Sequence, residues 1–227
     1  MTTGPDPERD ILLLCKQRGD IDETVIVAAL RAAEAACGAL VTEAAMLLPS
    51  TALPTLAHVG EPDPALPDAI LTLRAEPQAI SVALPRVIDA LAPAVDHARS
   101  TLLASYRHAI LPGGDAIRLF FGLRRLERLT LAGFHNYWLN RHAELGRRMI
   151  PPYTYHQLHA DPAMTAVMAA AAGLSPSTLD GVVEVHFPDI AAFVAQLSRP
   201  EVAEEALADE RNFIDHARSI FWAYRTL

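Results

Sequence analysis

The pentapeptide Asp-His-Ala-Arg-Ser occurs twice, at Asp96–Ser100 and Asp215–Ser219, and both copies run into an apolar stretch containing Tyr-Arg. A chain that repeats one ending is constrained to repeat whatever that ending closes. The element order agrees on both sides. In the second half "AIRLFFGLRR" reads as a strand, and Thr130 caps the helical run "LAGFHNYWLNRHAELGRRM". Strict alternation in "PPYTYHQLHA" predicts a second strand and "DGVVEVHF" a third, opened by an Asp-Gly turn. A helix "IAAFVAQL" stopped by Pro200, an acidic helical turn and the strand "IFWAYRTL" complete a βαββαβ order. The first half repeats that order: "ILLLCKQR", a helix from Asp22, "LVTEAAMLL", "DAILTLRAE", "ISVALPRVIDALAPAVDHA" as a broken helix, and "STLLASYRHAIL". A Pro-rich loop from Pro49 to Pro67 separates its middle strands.

One βαββαβ unit makes an antiparallel sheet with both helices on one face, leaving the other face to be covered. Two units in one chain cover each other. The expected fold class is therefore α+β: tandem ferredoxin-like βαββαβ repeats forming an intrachain α+β barrel. The expected domains are 1–111 and 115–227, joined at the Pro-Gly-Gly of Leu111–Asp115. Such a pseudo-dimer serves as a monomer, or as a homodimer through barrel-to-barrel contact.

Bulk properties narrow the function. At 227 residues, 51% hydrophobic and 20% charged, the chain has the composition of a soluble globular protein. A net charge of −8 with no basic run argues against a nucleic-acid partner. The start "MTTGPDPERD" carries no signal-peptide pattern, and the stretch Met164–Leu174 is too short to cross a membrane. Cys15 and Cys37 read as reduced core residues, which points to the cytoplasm. No histidine or cysteine pair has ligand spacing within one segment, since the two histidines of "HQLH" face opposite sides of a strand. Neither a metal nor a cofactor is expected.

The second half resembles the EthD family of dimeric α+β barrel proteins. The likeness rests on Phe134, Tyr137, Trp138, His142 and Ala143; on Tyr155, Gln157 and His159; on Asp180, Gly181, Glu184 and Phe187; and on Asp209, Glu210, Phe213 and Asp215. The first half lacks the Tyr-Trp pair and the histidine after its first helix and looks like a degenerate copy. The resemblance implies the barrel strongly and the reaction weakly: relatives include cofactor-independent decarboxylases, dehydratases or cyclases, and oxygenases of aromatic or polyketide-like compounds.

The residues carry the rest. Phe134, Trp138, His142 and Leu145 share one helical stripe, so His142 turns inward, either satisfying the core or exchanging protons near neutral pH. Tyr155, Gln157 and His159 share one strand face, which suits a ligand cavity or a solvated edge. Glu184 is a general base or, preferably, the ion partner of Arg118 or Arg225. Tyr137, Trp138, Trp222 and Phe120 line a flat apolar pocket or simply pack. The apolar helix from Asp161 to Gly173 is a lid or a barrel-end cover. The leading expectation is a cofactor-independent lyase (dehydratase, decarboxylase or cyclase) acting on a small hydrophobic, aromatic or polycyclic substrate. In it His142 is the acid/base, His159 its partner and Tyr155 an orienting group, with Tyr137, Trp138, Trp222, Phe120, Gln157 and Glu184 binding substrate. A cofactor-free aromatic monooxygenase and a non-catalytic ligand-binding barrel are the alternatives.

Overall fold

The computed structural model describes residues 8–53, 62–148 and 153–227. The chain runs β1 (Glu8–Cys15), α1 (Glu23–Ala36), β2 (Val41–Leu47), β3 (Ala69–Arg74), α2 (Pro77–Leu91) and β4 (Thr101–Leu111). It continues with β5 (Ile117–Leu123), α3 (Leu131–Tyr137), a π-helical turn (Trp138–His142), α4 (Ala143–Arg147), β6 (Thr154–Ala160) and α5 (Pro162–Ala172). Last come β7 (Ser175–Pro176), β8 (Gly181–Phe187), α6 (Ile190–Leu197), a second π-helical stretch (Glu201–Ala206), α7 (Leu207–Glu210) and β9 (Ile220–Thr226). Part of the Pro49–Pro67 loop and the start of the chain lie outside the described residues.

Apart from β7, which lies parallel to the start of β4, the strands close into an eight-stranded antiparallel barrel. Around the ring, β4-β1-β3-β2 from the first half meet β9-β5-β8-β6 from the second, through the pairings β2–β9 and β4–β6. Each half thus places its first, second, third and fourth long strands in the same relative positions.

The repeated pentapeptide has a physical reason. Ser100 Oγ accepts from the Lys16 amide at 2.9 Å and donates to Asp96 O at 2.7 Å. Ser219 Oγ accepts from the Arg124 amide at 2.9 Å and donates to Asp215 O at 2.8 Å. The amides of Asp96 and Asp215 donate to Lys16 O and Arg124 O, each at 2.8 Å. In both halves the motif therefore ties the entry of the last strand to the exit of the first. Aspartates at the entry of the third strand add a matching tie: Asp68 Oδ2 accepts from the Gln17 amide at 2.7 Å and Asp180 Oδ2 from the Arg125 amide at 2.9 Å.

Alternation along each strand sends side chains in or out. Leu12, Ile70, Leu103, Phe120, Val182 and Trp222 point inward and fill one end of the barrel. Outward residues of the first half, among them Leu13 and Leu71, pack under Ile26 and Leu30 of α1 and under Leu84 and Val87 of α2. Helix α2 passes Pro85 without ending, where the sequence suggests a break. Burial of Leu84, Val87 and Leu91 outweighs the one hydrogen bond that Pro85 cannot make. Helix α5 has the expected Asp161 cap and left-handed Gly173 exit, but it is no lid over a second-half pocket. Its Met168, Ala169 and Ala172 join the outer core of the first half, and Thr165 Oγ1 accepts from the Ala104 amide of β4 at 2.9 Å. Cys15 and Cys37 are buried and free, and burial pushes the Cys15 thiol up to about 12.

The other end of the barrel interior is ionic. Arg118, fully buried, donates to Glu43 Oε1 at 3.0 Å and to Glu184 Oε1. Arg107 donates to Asp10 Oδ2 at 2.9 Å, and Arg74 Nε to Asp10 Oδ1 at 2.7 Å. The pairing of Glu184 with Arg118 expected from sequence is thus present, and Arg225 instead reaches Glu23 at 2.7 Å. Burial alone would raise the Glu184 carboxyl, but Arg118, with His156, His186 and Arg107, holds it well below the usual carboxylate range. Since Glu43 and Asp10 come from one half and Arg118 and Glu184 from the other, the cluster joins both. Removing one partner of a buried pair strands the other. Arg118→Met is therefore expected to lower unfolding stability by about 3–5 kcal/mol. Denaturant unfolding checks this, and Arg118→Met/Glu184→Gln should recover part of the loss.

Candidate functional site

The candidate residues His142, Tyr155, Gln157 and His159 gather on the helix side of the second half. Thr130 Oγ1 accepts from the Gly133 amide at 3.1 Å and starts α3. An uninterrupted helix is expected from sequence over 131–149, of which residue 149 lies outside the described residues. Instead the helix widens to a π turn from Trp138 to His142 and narrows again at Ala143. Within that turn Trp138 and His142 face inward, while Asn140 and Arg141 stay exposed. Turns of this kind recur at functional sites.

His142 Nδ1 lies 2.8 Å from Asp209 Oδ2, and the Tyr137 hydroxyl donates to Asp209 Oδ1 at 2.7 Å. Partial burial would raise the Asp209 carboxyl, but the bonds from Tyr137 and His142 keep it below the usual range. An ionised Asp209 accepts from Nδ1–H, which leaves Nε2 as the basic nitrogen of His142. The His142 side chain is 11% exposed, so the ring lies at the boundary of core and solvent. Its ring also packs on Phe213 at 5.0 Å between centroids.

His159 stands in a different group. It is stacked on Trp138 at 4.8 Å and on His135 at 4.4 Å, with His108 of β4 tilted against it at 4.4 Å. Its Nε2 bonds Gln157 Oε1 at 3.1 Å. Burial first, then His135 and His108, push its pKa down to about 2, so it stays neutral at working pH. His159 is therefore not placed to act as proton partner of His142, whose hydrogen bond goes to Asp209. Tyr155 and Gln157 share the same face, as the alternation predicts. The Tyr155 hydroxyl accepts from Trp138 Nε1 at 3.2 Å and Gln157 Nε2 at 2.8 Å, and burial pushes its pKa up to about 12. These groups support the π turn from below: Gln157 Nε2 also donates to Trp138 O at 3.1 Å.

Three residues expected in the same pocket lie elsewhere. Phe120, Glu184 and Trp222 are cross-strand neighbours pointing into the barrel, on the opposite side of the sheet from His142. The period of two separates them, because adjacent strands at matched register send partnered residues to one face. Trp222 Nε1 is already spent on Leu48 O at 2.7 Å.

The barrel interior also gathers His156, Glu184 and His186, whose ligand atoms lie within 4.8 Å of one another. A search for ligand pairs within one segment misses this trio, since β6 and β8 supply it jointly. The donor set is committed to the ionic cluster. Arg118 and Arg107 flank Glu184, and Arg107 Nη2 lies 2.6 Å from His156 Nδ1. With Arg118 and Arg107 on Glu184 and Arg107 on His156, a divalent ion would have to displace buried guanidinium groups from its own ligands. The residues do not fit a resident cation. A shallow hollow on the far side of the molecule, lined by Thr24, Val25, Ala28, Ala32, Ala90 and Pro93, brings no acid, base or nucleophilic cysteine.

Residues 126–217 match the EthD domain family, a span that contains α3, the π turn, His159 and Asp209. No curated protein matches the chain in sequence. Similar solved structures include a candidate monooxygenase from Fusobacterium nucleatum, with 8% identity, TM-score 0.61 and 98% and 93% of the two chains covered. An anthrone oxidase-like protein is similar at 8% identity and TM-score 0.61, covering 98% and 92%. A candidate chlorite dismutase, TA0507, is similar at 13% identity and TM-score 0.57, covering 97% and 95%. At these identities the likeness is one of fold: the whole chain shares their α+β barrel.

The buried histidines make stability depend on acid. Burial lowers His135 and His186 below the ordinary 6.5, and takes His159 to about 2. His159 stays neutral in the fold, whereas the unfolded chain protonates it below 6.5, so its contribution to stability is full above that pH and lost as pH falls. His159 alone accounts for about 1.4 kcal/mol per pH unit below 6.5. Calorimetry from pH 8 to 5 should show a level Tm that declines below 6.5, and a gentler decline in His159→Gln.

Proposed function

We propose that the chain is an enzyme acting on a small hydrophobic, ring-containing metabolite by proton transfer at His142. The observation that carries this reading is the Tyr137–Asp209–His142 relay of two hydrogen bonds, at 2.7 and 2.8 Å, on an inward-facing π turn. A base oriented by a carboxylate, itself held by a third group, is the arrangement that acid–base and nucleophilic enzymes use. Nε2 takes a proton from a carbon acid or ring hydroxyl, Asp209 stabilises the imidazolium, and the same nitrogen returns the proton to the product. Abstraction and return at one nitrogen suffice for dehydration, decarboxylation or cyclisation.

A second reading shares the first step. The barrel is also that of candidate monooxygenases and of an anthrone oxidase-like protein. A base that deprotonates an aromatic hydroxyl yields an electron-rich anion open to dioxygen. Oxygen uptake matched to substrate loss selects this reading, and turnover under argon selects the lyase.

We further propose that residues 1–111 and 115–227 are two ferredoxin-like copies of one unit, of which the later copy carries the reactive site. Matching strand order and matching serine and aspartate ties support this. A barrel closed within one chain needs no second subunit, and two free cysteines suit a reducing compartment such as the cytoplasm.

A panel of phenolic ring compounds assayed for loss of substrate tests the assignment. His142→Ala should reduce kcat by roughly 10²–10⁴-fold. Asp209→Asn, which no longer fixes the tautomer, should reduce kcat by at least roughly tenfold with KM little changed. Unchanged turnover in His142→Ala removes the residue from the mechanism.

A further inference from the structure

Helix α3 passes into α4 through a turn that backbone bonding alone disfavours, and the contacts around it show what holds it open. The Trp138 amide bonds Phe134 O, four positions back, as an α-helix requires. The Ala143 amide instead reaches Trp138 O, five positions back. Turns closed at that distance are rare, and helices are distorted where a side chain enters the ladder of backbone bonds. Gln157 is that side chain. It is 0% exposed, and its Nε2 donates to the same Trp138 O at 3.1 Å and to the Tyr155 hydroxyl at 2.8 Å. A carbonyl only accepts, so the amide nitrogen must face Trp138, and both its hydrogens are committed. Oε1 is then the acceptor for His159, which carries its proton on Nε2.

The extra residue sets the direction of everything after it. At 3.6 residues per turn, one added position rotates the following helix by about 100°. Packing beneath the turn fits the widened register. Gly146 of α4 lies so close to the Tyr155 ring that a Cβ there would overlap it. An uninterrupted helix would put Leu145 at that point, where a leucine side chain has no room. At the start of the turn the Trp138 indole rests on Gly181, where an added Cβ would stand 2.6 Å from Cζ3, and its Nε1 donates to the Tyr155 hydroxyl at 3.2 Å. The indole is thereby fixed, and His142 at the end of the turn reaches Asp209 at 2.8 Å. Asp209 stands on a separate helix, α7, so loss of the extra position would carry the imidazole away from that carboxylate.

We propose that Gln157 is the positioning residue of this site: its amide holds the π turn open at Trp138 O, and the register so set presents His142 Nδ1 to Asp209. The proposal rests on the reading of His142 given above and adds what places the base. It moves Gln157 from the substrate-binding set to the support beneath it, since the side chain is enclosed and both amide hydrogens are already bonded. His159 acts at one remove, by holding Gln157 Oε1.

Imidazole NMR of the ligand-free protein tests this whether or not a substrate is in hand. Wild type should show the His142 Nδ1 proton shifted downfield by its bond to a carboxylate, and Asp209→Asn should move that signal and so assign it. Gln157→Met, which keeps the volume and loses both donors, should abolish the signal. Leu84→Ala, in the core of the first half, should lower Tm and leave the signal in place, so lost stability alone does not mimic the effect. With a substrate from the phenolic panel, Gln157→Met should lose roughly tenfold in kcat with KM little changed. Gln157→Met/Asp209→Asn should then be no slower than Asp209→Asn, because one residue acts through the other. Should Gln157→Met fail to fold by circular dichroism, Gly146→Ala decides, since it displaces the Tyr155 ring and should move the same signal. A wild type inactive on every ring compound, with the signal still lost in Gln157→Met, supports the positioning and counts against the functional reading alone. Absence of the signal in wild type, an unchanged signal in Gln157→Met, or additive losses in the double variant overturns the proposal.

Discussion

Ring closure of the strands governs this molecule. Once β2 pairs with β9 and β4 with β6, every strand residue faces either the barrel interior or the helices. The interior resolves into two zones. One zone is apolar, around Phe120 and Trp222; the other is the ion cluster of Asp10, Glu43, Glu184, Arg74, Arg107 and Arg118. Such a cluster adds little net stability over a hydrophobic filling, but it penalises any arrangement that separates its members. Because both halves contribute, it favours the one register in which they meet.

The proposed site lies on the helix side of the second sheet. On their helix sides the two halves diverge. The first half spends its helix side on packing, and even the helix inserted between β6 and β8 is recruited to that core. The second half spends its helix side on a π turn and a histidine–carboxylate pair.

Much of this was legible in the residues. Alternation in Thr154–Ala160 names the shared face of Tyr155, Gln157 and His159, and the caps at Thr130 and Asp161 sit where short polar residues precede apolar periodicity. The repeated pentapeptide locates the last strand of each half. What local pattern does not carry is which face of a strand turns inward. Phe120, Glu184 and Trp222 alternate as well as Tyr155 and His159 do, and only barrel closure sends them to the other side. The partner of His142 is likewise remote: Asp209 stands 67 positions later, and only packing of α7 against the π turn brings them together. An i-to-i+4 stripe could place His142 inward but not foresee the widened turn.

The central claim is that one scaffold is sealed on its first helix face, where Leu13 and Leu102 are buried, and open on its second, where Phe221 is 40% exposed and Phe121 half-buried. Hydroxyl-radical footprinting of the ligand-free protein measures that difference residue by residue. The account predicts ready oxidation at Phe121 and Phe221, with Leu13 and Leu102 protected. Equal protection at all four positions would contradict it.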